Sequence, residues 1–279
     1  MKLFVIGNPI KHSMSPEIHN YWLQSYKIDA NYQILEVEEQ DLADLVERIR
    51  RKELVGVNVT LPYKTIIVKY LDKLDDTARM SGSVNTIYRE HDKVIGSNTD
   101  GVGFLKTVKK DLDLNVNNKN FFIIGSGGAS RGIIFSLCNT NIGKIIISNR
   151  NTKKARLLVE EMKEKQKFFP IFQQTWSDKI IPEEIDIVVN TTSFGLKENE
   201  ELKVDFRNLN ENTVIYDIIY NPLETKFLKK AKSAQLTTVN GISMLVHQAA
   251  ESFRKWFNIE VSDLLIESSK TKLLKLLSK

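Results

Sequence analysis

Phe121-Phe122-Ile123-Ile124 runs into Gly125-Ser126-Gly127-Gly128-Ala129-Ser130-Arg131-Gly132, an apolar run that ends in glycines and opens a helical pattern. Such a junction makes an anion site. Phe121 to Ile124 predict a buried parallel strand, and about Gly127 to Leu137 the helix that follows it. Gly125 allows a tight turn, and Gly127 lets the backbone approach a pyrophosphate, whose charge meets free N–H groups and the positive helix end. Ala129 and Ser130 are small enough for helix and strand to pack closely. Ser130 stands at the third position of G-x-G-x-x-[G/A], so the pattern is imperfect, and a ligand-free glycine turn would carry the same letters.

The next strand, Lys144 to Ser148, ends in Asn149-Arg150-Asn151-Thr152-Lys153-Lys154. An NAD site places a carboxylate here for the ribose 2′-hydroxyl, whereas a 2′-phosphate needs cations and hydroxyl or amide donors. No acidic residue lies between Ser148 and Val159. Arg150, Lys153 and Lys154 therefore point to NADP, with Arg150 also able to lie flat on an adenine.

Hydride transfer to a ketone leaves an alkoxide that needs a proton donor within hydrogen-bond reach. Lys64 is the candidate, because it follows a strand end and strand C-termini line the cleft in open α/β sheets. Asp100 also follows a strand and opens a helix. If the two meet, the carboxylate favours the charged lysine and keeps it a donor; an ordinary salt bridge would give the same letters. His12, His19, His91 and His247 lack metal-ligand spacing and Cys138 is the single cysteine, so no metal is expected. No G-x-S-x-G or Walker A pattern is present.

The elements that must position these residues alternate. Lys2 to Gly7, Tyr32 to Val37 and Leu54 to Thr60 predict strands, with helices from Ser15, as cap before Pro16, to about Ser25 and from Asp41 to about Arg50. A further helix is expected to start at Pro62, and another spans about Asp75 to Ser81. Asn58 and Thr60 share one strand face, a pattern that usually means solvent. Ser83 to Tyr88 and Lys93 to Ser97 predict an antiparallel hairpin. A long helix then runs from Asp100 to about Leu112. Strands recur near Asn120, Lys144, Ile185, Val214 and Leu236, an order that implies right-handed crossovers and a parallel sheet. After Gly241 only helices remain, Ile242 to Phe257 and about Ser262 to Leu277. The expected fold class is thus α/β: a mainly parallel sheet in residues 1–100, a Rossmann-type unit in 101–239, and the helices of 240–279 folding back on the first.

The chain of 279 residues is 42% hydrophobic, enough for two cores. Its 40 Lys+Arg against 35 Asp+Glu give +5, spread along the chain rather than blocked. That suits small anionic ligands and calls for no nucleic acid. No run reaches transmembrane length, the apolar start is too short for a signal peptide, and the leucines of the basic C-terminal tract suit packing better than membrane binding, so a cytoplasmic location is expected. Monomer and homodimer both remain open.

Six segments in one order resemble the shikimate dehydrogenase family. They are Ile6 to Pro16, Val57-Asn58-Val59-Thr60-Leu61-Pro62-Tyr63-Lys64, Ser83-Val84-Asn85-Thr86, Asn98-Thr99-Asp100-Gly101, the glycine loop, and Gly241 to Ala249. The resemblance implies NADPH-dependent, reversible reduction of 3-dehydroshikimate to shikimate, a step toward chorismate and the aromatic amino acids. It implies Lys64 and Asp100 as the catalytic pair. Ser13, Ser15, Thr60 and Tyr220 would serve the substrate carboxylate region, and Asn58, Asn85, Asp100 and Gln248 its hydroxyls. Gly125, Ser126, Gly127, Gly128 and Ala129 would hold the pyrophosphate, and Asn149 to Lys154 the 2′-phosphate. Ile218 and Gly241 would meet the nicotinamide, and Asp76 matches an acidic position on the cofactor side. The family's Asn-Arg-Thr reads Asn149-Arg150-Asn151 here, which replaces a hydroxyl donor by an amide and could soften cofactor preference. The alternatives are a quinate/shikimate dehydrogenase with dual cofactor use and a non-catalytic NADP-sensing module, which need not keep Lys64 or Asp100.

Overall fold

The computed structural model describes residues 1–176, 180–197 and 200–278. Alternate side chains of strand β1 (Lys2–Gly7) enter different cores, as a sheet covered on both faces requires. Leu3 and Val5 meet α1 (Ser15–Ser25), α8 (Ile242–Phe257) and α9 (Asp263–Leu277), while Phe4 and Ile6 meet α2 (Leu42–Arg50). The C-terminal helices therefore fold back onto the first sheet, as expected. That sheet is completed by β2 (Asn31–Glu36), β3 (Gly56–Val59), β4 (Lys73–Leu74), β5 (Thr86–Glu90) and β6 (Lys93–Ser97), in the order β2-β1-β3-β5-β6-β4. The β5–β6 hairpin is antiparallel, as read, and β5 also runs antiparallel to β3.

The second sheet has β7 (Asn120–Ile124), β8 (Lys144–Asn149), β9 (Ile171–Thr175), β10 (Ile187–Asn190), β11 (Val214–Asp217) and β12 (Thr237–Val239), all parallel, in the order β12-β11-β10-β7-β8-β9. Phe121 and Ile123 of β7 face the core under α5 (Gly128–Cys138) and α6 (Thr152–Lys165); Phe122 and Ile124 face the one under α7 (Lys226–Ser233).

Two expectations fail locally. No α-helix starts at Pro62: residues 61–66 form turns and only Ile67–Tyr70 make a 3-10 turn. The reason lies in the Lys64 carbonyl, which accepts from the Val84 N–H at 2.7 Å and so is committed to the segment that leads into β5. Ser15 is the first residue of α1 rather than its cap; Met14 holds the cap position without a side-chain cap bond of its own.

Helix α3 (Asp76–Ser81) has a conventional cap in Asp75, which accepts from the Ala78 N–H, and ends at Gly82 with φ 63°. Its terminal carbonyls receive cations from the second half of the molecule. Lys165 Nζ donates to the Met80 oxygen at 2.7 Å and Arg131 to that of Ser81 at 3.1 Å, both held by Glu161. Between the sheets run α4 (Asp100–Lys106), continued by a π-helical stretch Thr107–Asp111, and α8. Glycines let these helices mesh. A Cβ on Gly103 would lie 2.8 Å from the backbone N of Gln248 in α8, and one on Gly132 in α5 2.4 Å from the Asn98 side chain.

Candidate functional site

Lys64 and Asp100, 36 positions apart, form an ion pair with Nζ 2.5 Å from Oδ2, and their side chains are only 12% and 6% exposed. Asp100 starts α4, where an acidic side chain is favoured by the helix dipole, and its other oxygen accepts from Asn85 Nδ2 at 2.8 Å. Asn85 is held in turn. Its Oδ1 accepts from the Thr99 N–H at 2.8 Å and from the Thr86 hydroxyl at 3.0 Å, while its amide reaches Gln248 Oε1 at 3.2 Å.

Asn58 closes the network from below. Its face of β3 is buried rather than solvated, because Tyr32 donates to Oδ1 at 2.7 Å and Nδ2 reaches the Asn85 carbonyl, Thr86 and Ser252 at 3.0 to 3.1 Å. Unpaired amides inside a protein are costly, so these partners are what allow it to sit there. Asn58 is consequently a brace for Asn85 and Thr86. Tyr32, Thr86, Thr99 and Ser252 are site-supporting residues that the sequence reading missed; Ser252, a hydroxyl inside the apolar stripe of α8, was the one visible signal.

Ser13, Ser15 and Tyr220 come together past β1, at the same end of the first sheet as Lys64. Ser13 Oγ accepts from the Ser15 N–H at 3.3 Å, and the Tyr220 phenol lies beside Ser13 and the Met14 backbone. Burial pushes the phenols of Tyr220 and Tyr32 upward, with Ser13 and Ser15 respectively opposing it, so both stay protonated donors. Thr60 is half-buried just past β3, with its N–H on the Ile6 carbonyl at 2.9 Å.

The glycine loop leaves β7 through Gly125, at φ 118°, where a Cβ would also strike the Thr191 hydroxyl at 2.5 Å. Ser130, the imperfect third position, is fully buried with its hydroxyl 2.5 Å from that of Thr191, so a polar contact takes the place of glycine's close approach. Gly127 caps α5 with no side-chain partner, and a Cβ there would meet nothing within 4 Å. The loop's backbone therefore faces open space with uncapped amides, with Ser126 and Ala129 half-buried beside it. Gly128 does the opposite: a Cβ on it would lie 2.8 Å from Lys64 Cβ and 2.9 Å from Ser83 Oγ. Cofactor-type loop and lysine thus touch.

At the end of β8 the Arg150 guanidinium lies over the Phe194 ring, 5.3 Å from its centre. Asn151 caps α6, its Oδ1 accepting from the Lys154 N–H at 3.1 Å, and Asn149 Nδ2 donates to the Asn151 carbonyl at 2.9 Å. Thr152, Lys153 and Lys154 are exposed in the first turn of α6. The oxygen of the amide that replaces a hydroxyl at 151 is therefore occupied in helix capping, while Nδ2 stays the available donor. Ile218 and Gly241 also meet: Gly241 donates to the Ile219 carbonyl at 3.0 Å, and a Cβ on it would lie 1.9 Å from the Ile218 oxygen. Asp76, at the start of α3, has a carboxylate that is 83% exposed and paired with Arg79. Its neighbour Asp75 holds the buried place, bonded to Lys255 at 2.8 Å. The open glycine loop, the uncapped helix end and the basic first turn of α6 fit a dinucleotide carrying an extra phosphate.

Residues 5–87 match the shikimate dehydrogenase substrate binding domain, 106–242 the shikimate / quinate 5-dehydrogenase family, and 241–263 the shikimate 5′-dehydrogenase C-terminal domain. The shikimate dehydrogenase (NADP(+)) of Pelagibacter ubique is 41% identical over 256 residues, 91% of this chain and 92% of that protein. The chain belongs to the shikimate dehydrogenase family. A crystal structure of a shikimate dehydrogenase in complex with NADP+ superposes with a TM-score of 0.90 at 34% identity, covering 100% of this chain and 96% of the other. The shikimate 5-dehydrogenase of Listeria monocytogenes, crystallised with shikimate and NAD, gives 0.86 at 30% identity, over 98% and 96% of the two chains. These likenesses agree with the α/β architecture of two mainly parallel sheets, the second of Rossmann type. Among the described residues no helix is long and apolar enough to cross a membrane.

Proposed function

We propose that this member of the shikimate dehydrogenase family is an NADP-dependent oxidoreductase that reduces 3-dehydroshikimate to shikimate, reversibly. The observation that carries the reading is the contact of Gly128 with Lys64, which sets a buried ammonium beside the loop suited to a dinucleotide. NADPH, when bound, supplies the hydride for the carbonyl carbon. Lys64 gives its proton to the oxygen of that carbonyl, and takes one from the hydroxyl in the reverse direction. Asp100 holds the ammonium charged and aims it, and Asn85 fixes the carboxylate by its second oxygen. A reaction center built this way needs no reorganisation of its dipoles as charge develops on the substrate oxygen.

Ser13, Ser15, Thr60 and Tyr220 take the substrate carboxylate region, with Asn85, Asp100 and Gln248 on the ring hydroxyls. Asn58 supports this group from behind, and Asp76 belongs to the cofactor side. Gly125 to Ala129 hold the pyrophosphate, Asn149 to Lys154 the 2′-phosphate, and Ile218 and Gly241 the nicotinamide. Residues 1–100 and 240–279 form the substrate domain and 101–239 the NADP domain, with the cleft between them.

Initial rates with shikimate or quinate, each against NADP+ or NAD+, test this. Shikimate with NADP+ is expected to give the highest kcat/KM; quinate or NAD+ equal to it would favour the dual-use enzyme, and no turnover in any pair would favour an NADP-sensing module.

A further inference from the structure

Asp217 ends β11 with a carboxylate that is completely buried and, among the described residues, bonded only by neutral donors. Oδ1 accepts from the Ile219 N–H at 3.1 Å and from Asn190 Nδ2 at 3.0 Å; Oδ2 accepts from the Thr225 hydroxyl at 2.7 Å. Burial pushes this carboxyl up to about 6, against the pull of those three bonds. A charge kept in such a place is costly, and the bonds explain how it is tolerated.

The donors are the two ends of one loop and the neighbouring strand. Asn190 sits beside Asp217 in the register of β10 and β11, and its carbonyl accepts from the Ile218 N–H at 3.1 Å. Thr225 caps α7, its Oγ1 accepting from the Leu228 N–H at 3.3 Å while it donates to Asp217. Ile219, gripped by the carboxylate through its N–H, holds Gly241 through its carbonyl at 3.0 Å. Residues 218–225 thus hang from one side chain at both ends, and they carry Ile218 and Tyr220 on either side of Ile219.

We propose that Asp217 is a positioning residue for the reaction: by gripping both ends of the 218–225 loop, it sets Ile218 against the nicotinamide in register with Tyr220 against the substrate. This rests on the ligand placement proposed above. Asn190 Oδ1 fixes Thr192 on its own account, at 3.0 Å to the N–H and 2.7 Å to the hydroxyl. Asn190 Nδ2 also reaches the Phe194 carbonyl, at 3.3 Å, so Asp217 meets the Phe194–Arg150 side only through Asn190.

The test compares Asp217→Ala and Asp217→Asn with the unmodified protein by amide hydrogen exchange, by kinetics with shikimate and NADP+, and by inhibition with 2′,5′-ADP, a probe that ends at the Arg150 side. In Asp217→Ala, exchange is expected to quicken at 218–224 with β10 and β11 still protected. There kcat/KM for shikimate should fall about 10²-fold, the scale of a small misplacement of reacting groups. Inhibition by 2′,5′-ADP should stay within about twofold, and Asp217→Asn, which keeps an acceptor for Ile219 and Asn190, should recover most of the loss. Unchanged kcat/KM in Asp217→Ala, a parallel loss of 2′,5′-ADP binding, or an asparagine variant as poor as alanine each overturns the assignment. If Asp217→Ala does not fold, Thr225→Val removes one donor and should show the same split at about threefold; its absence is equally decisive. The exchange arm needs no substrate, so a failure of the anchoring is distinguishable from a protein that does not turn over shikimate at all.

Discussion

The two sheet ends that meet at the cleft are built on opposite principles. Around Lys64 and Asp100 the polar side chains are buried and already bonded to one another, through Asn85, Thr99, Thr86, Asn58 and Ser252. Around Gly127 and Arg150 the groups are open: uncapped amides, exposed lysines, and a guanidinium resting on an aromatic ring. Under the proposed function, the difference follows from what each must bind. A proton has to be delivered to one atom, so its donor is fixed beforehand; a phosphate is recognised by charge from several directions, and donors on a backbone loop suffice.

The largest effect that would break this contrast is at the buried end. Lys64→Ala should lower kcat about 10²- to 10⁴-fold, the range of general acid–base catalysis, with little change in the KM for shikimate. A raised KM with kcat intact would make Lys64 a binding group. Next, Gly128→Ala sets a methyl against Lys64 and should cost kcat about tenfold or more. Gly127→Ala fills only open space, so its melting temperature should match that of the parent while NADP+ binds less tightly. Equal behaviour of the two variants would erase the distinction between the ends.

Arg150→Ala should raise the KM for NADPH about 10-fold, the worth of one charge-assisted bond, and leave NADH alone. Equal losses for both cofactors would remove the 2′-phosphate from this site.

The smallest expected effect concerns two carboxylates outside the reaction itself. Asp111 is held down to about 2: burial raises it, but bonds from His247 at 3.1 Å and Lys270 at 2.8 Å prevail. Its folded value lies below the unfolded one, so its contribution is present above about pH 4 and is lost as pH falls through about 2. Asp217, raised to about 6, has the opposite sign: its contribution is present below about pH 4 and is lost as pH rises through about 6. The shifts correspond to roughly 2 kcal/mol for Asp111, after allowance for its partial exposure, and roughly 3 kcal/mol for Asp217. Melting curves from about pH 3 to about pH 8 should therefore show Asp217→Asn gaining on the parent as pH rises, and Asp111→Asn losing less than the parent as pH falls. Parallel curves would contradict both signs.

What could be read from the chain alone were features whose partners lie close by: the glycine turn, the basic start of α6, the β5–β6 hairpin, the helix starts near Asp75 and Ser262. The rest depended on distant partners. Pro62 fits a helix start until the Lys64 carbonyl is taken by Val84, and Asn58 reads as solvent-facing until Tyr32 and Ser252, 26 and 194 positions away, close over it. Strands β4 and β9 and helix α7 went unread because two residues, a Gln-Gln pair and a run of lysines carry little periodic signal. Asp217 illustrates the limit. Nothing about an aspartate after three apolar residues announces that it will be buried among neutral donors.

One rim of the molecule remains. Lys165 and Arg131 fasten the end of α3 through peptide oxygens, which do not titrate, so acid that discharges Glu161 still leaves the fastening in place. Cation-to-carbonyl bonds of this kind tie α3, in the first half of the molecule, to α5 and α6 in the second wherever lysine and arginine stay charged.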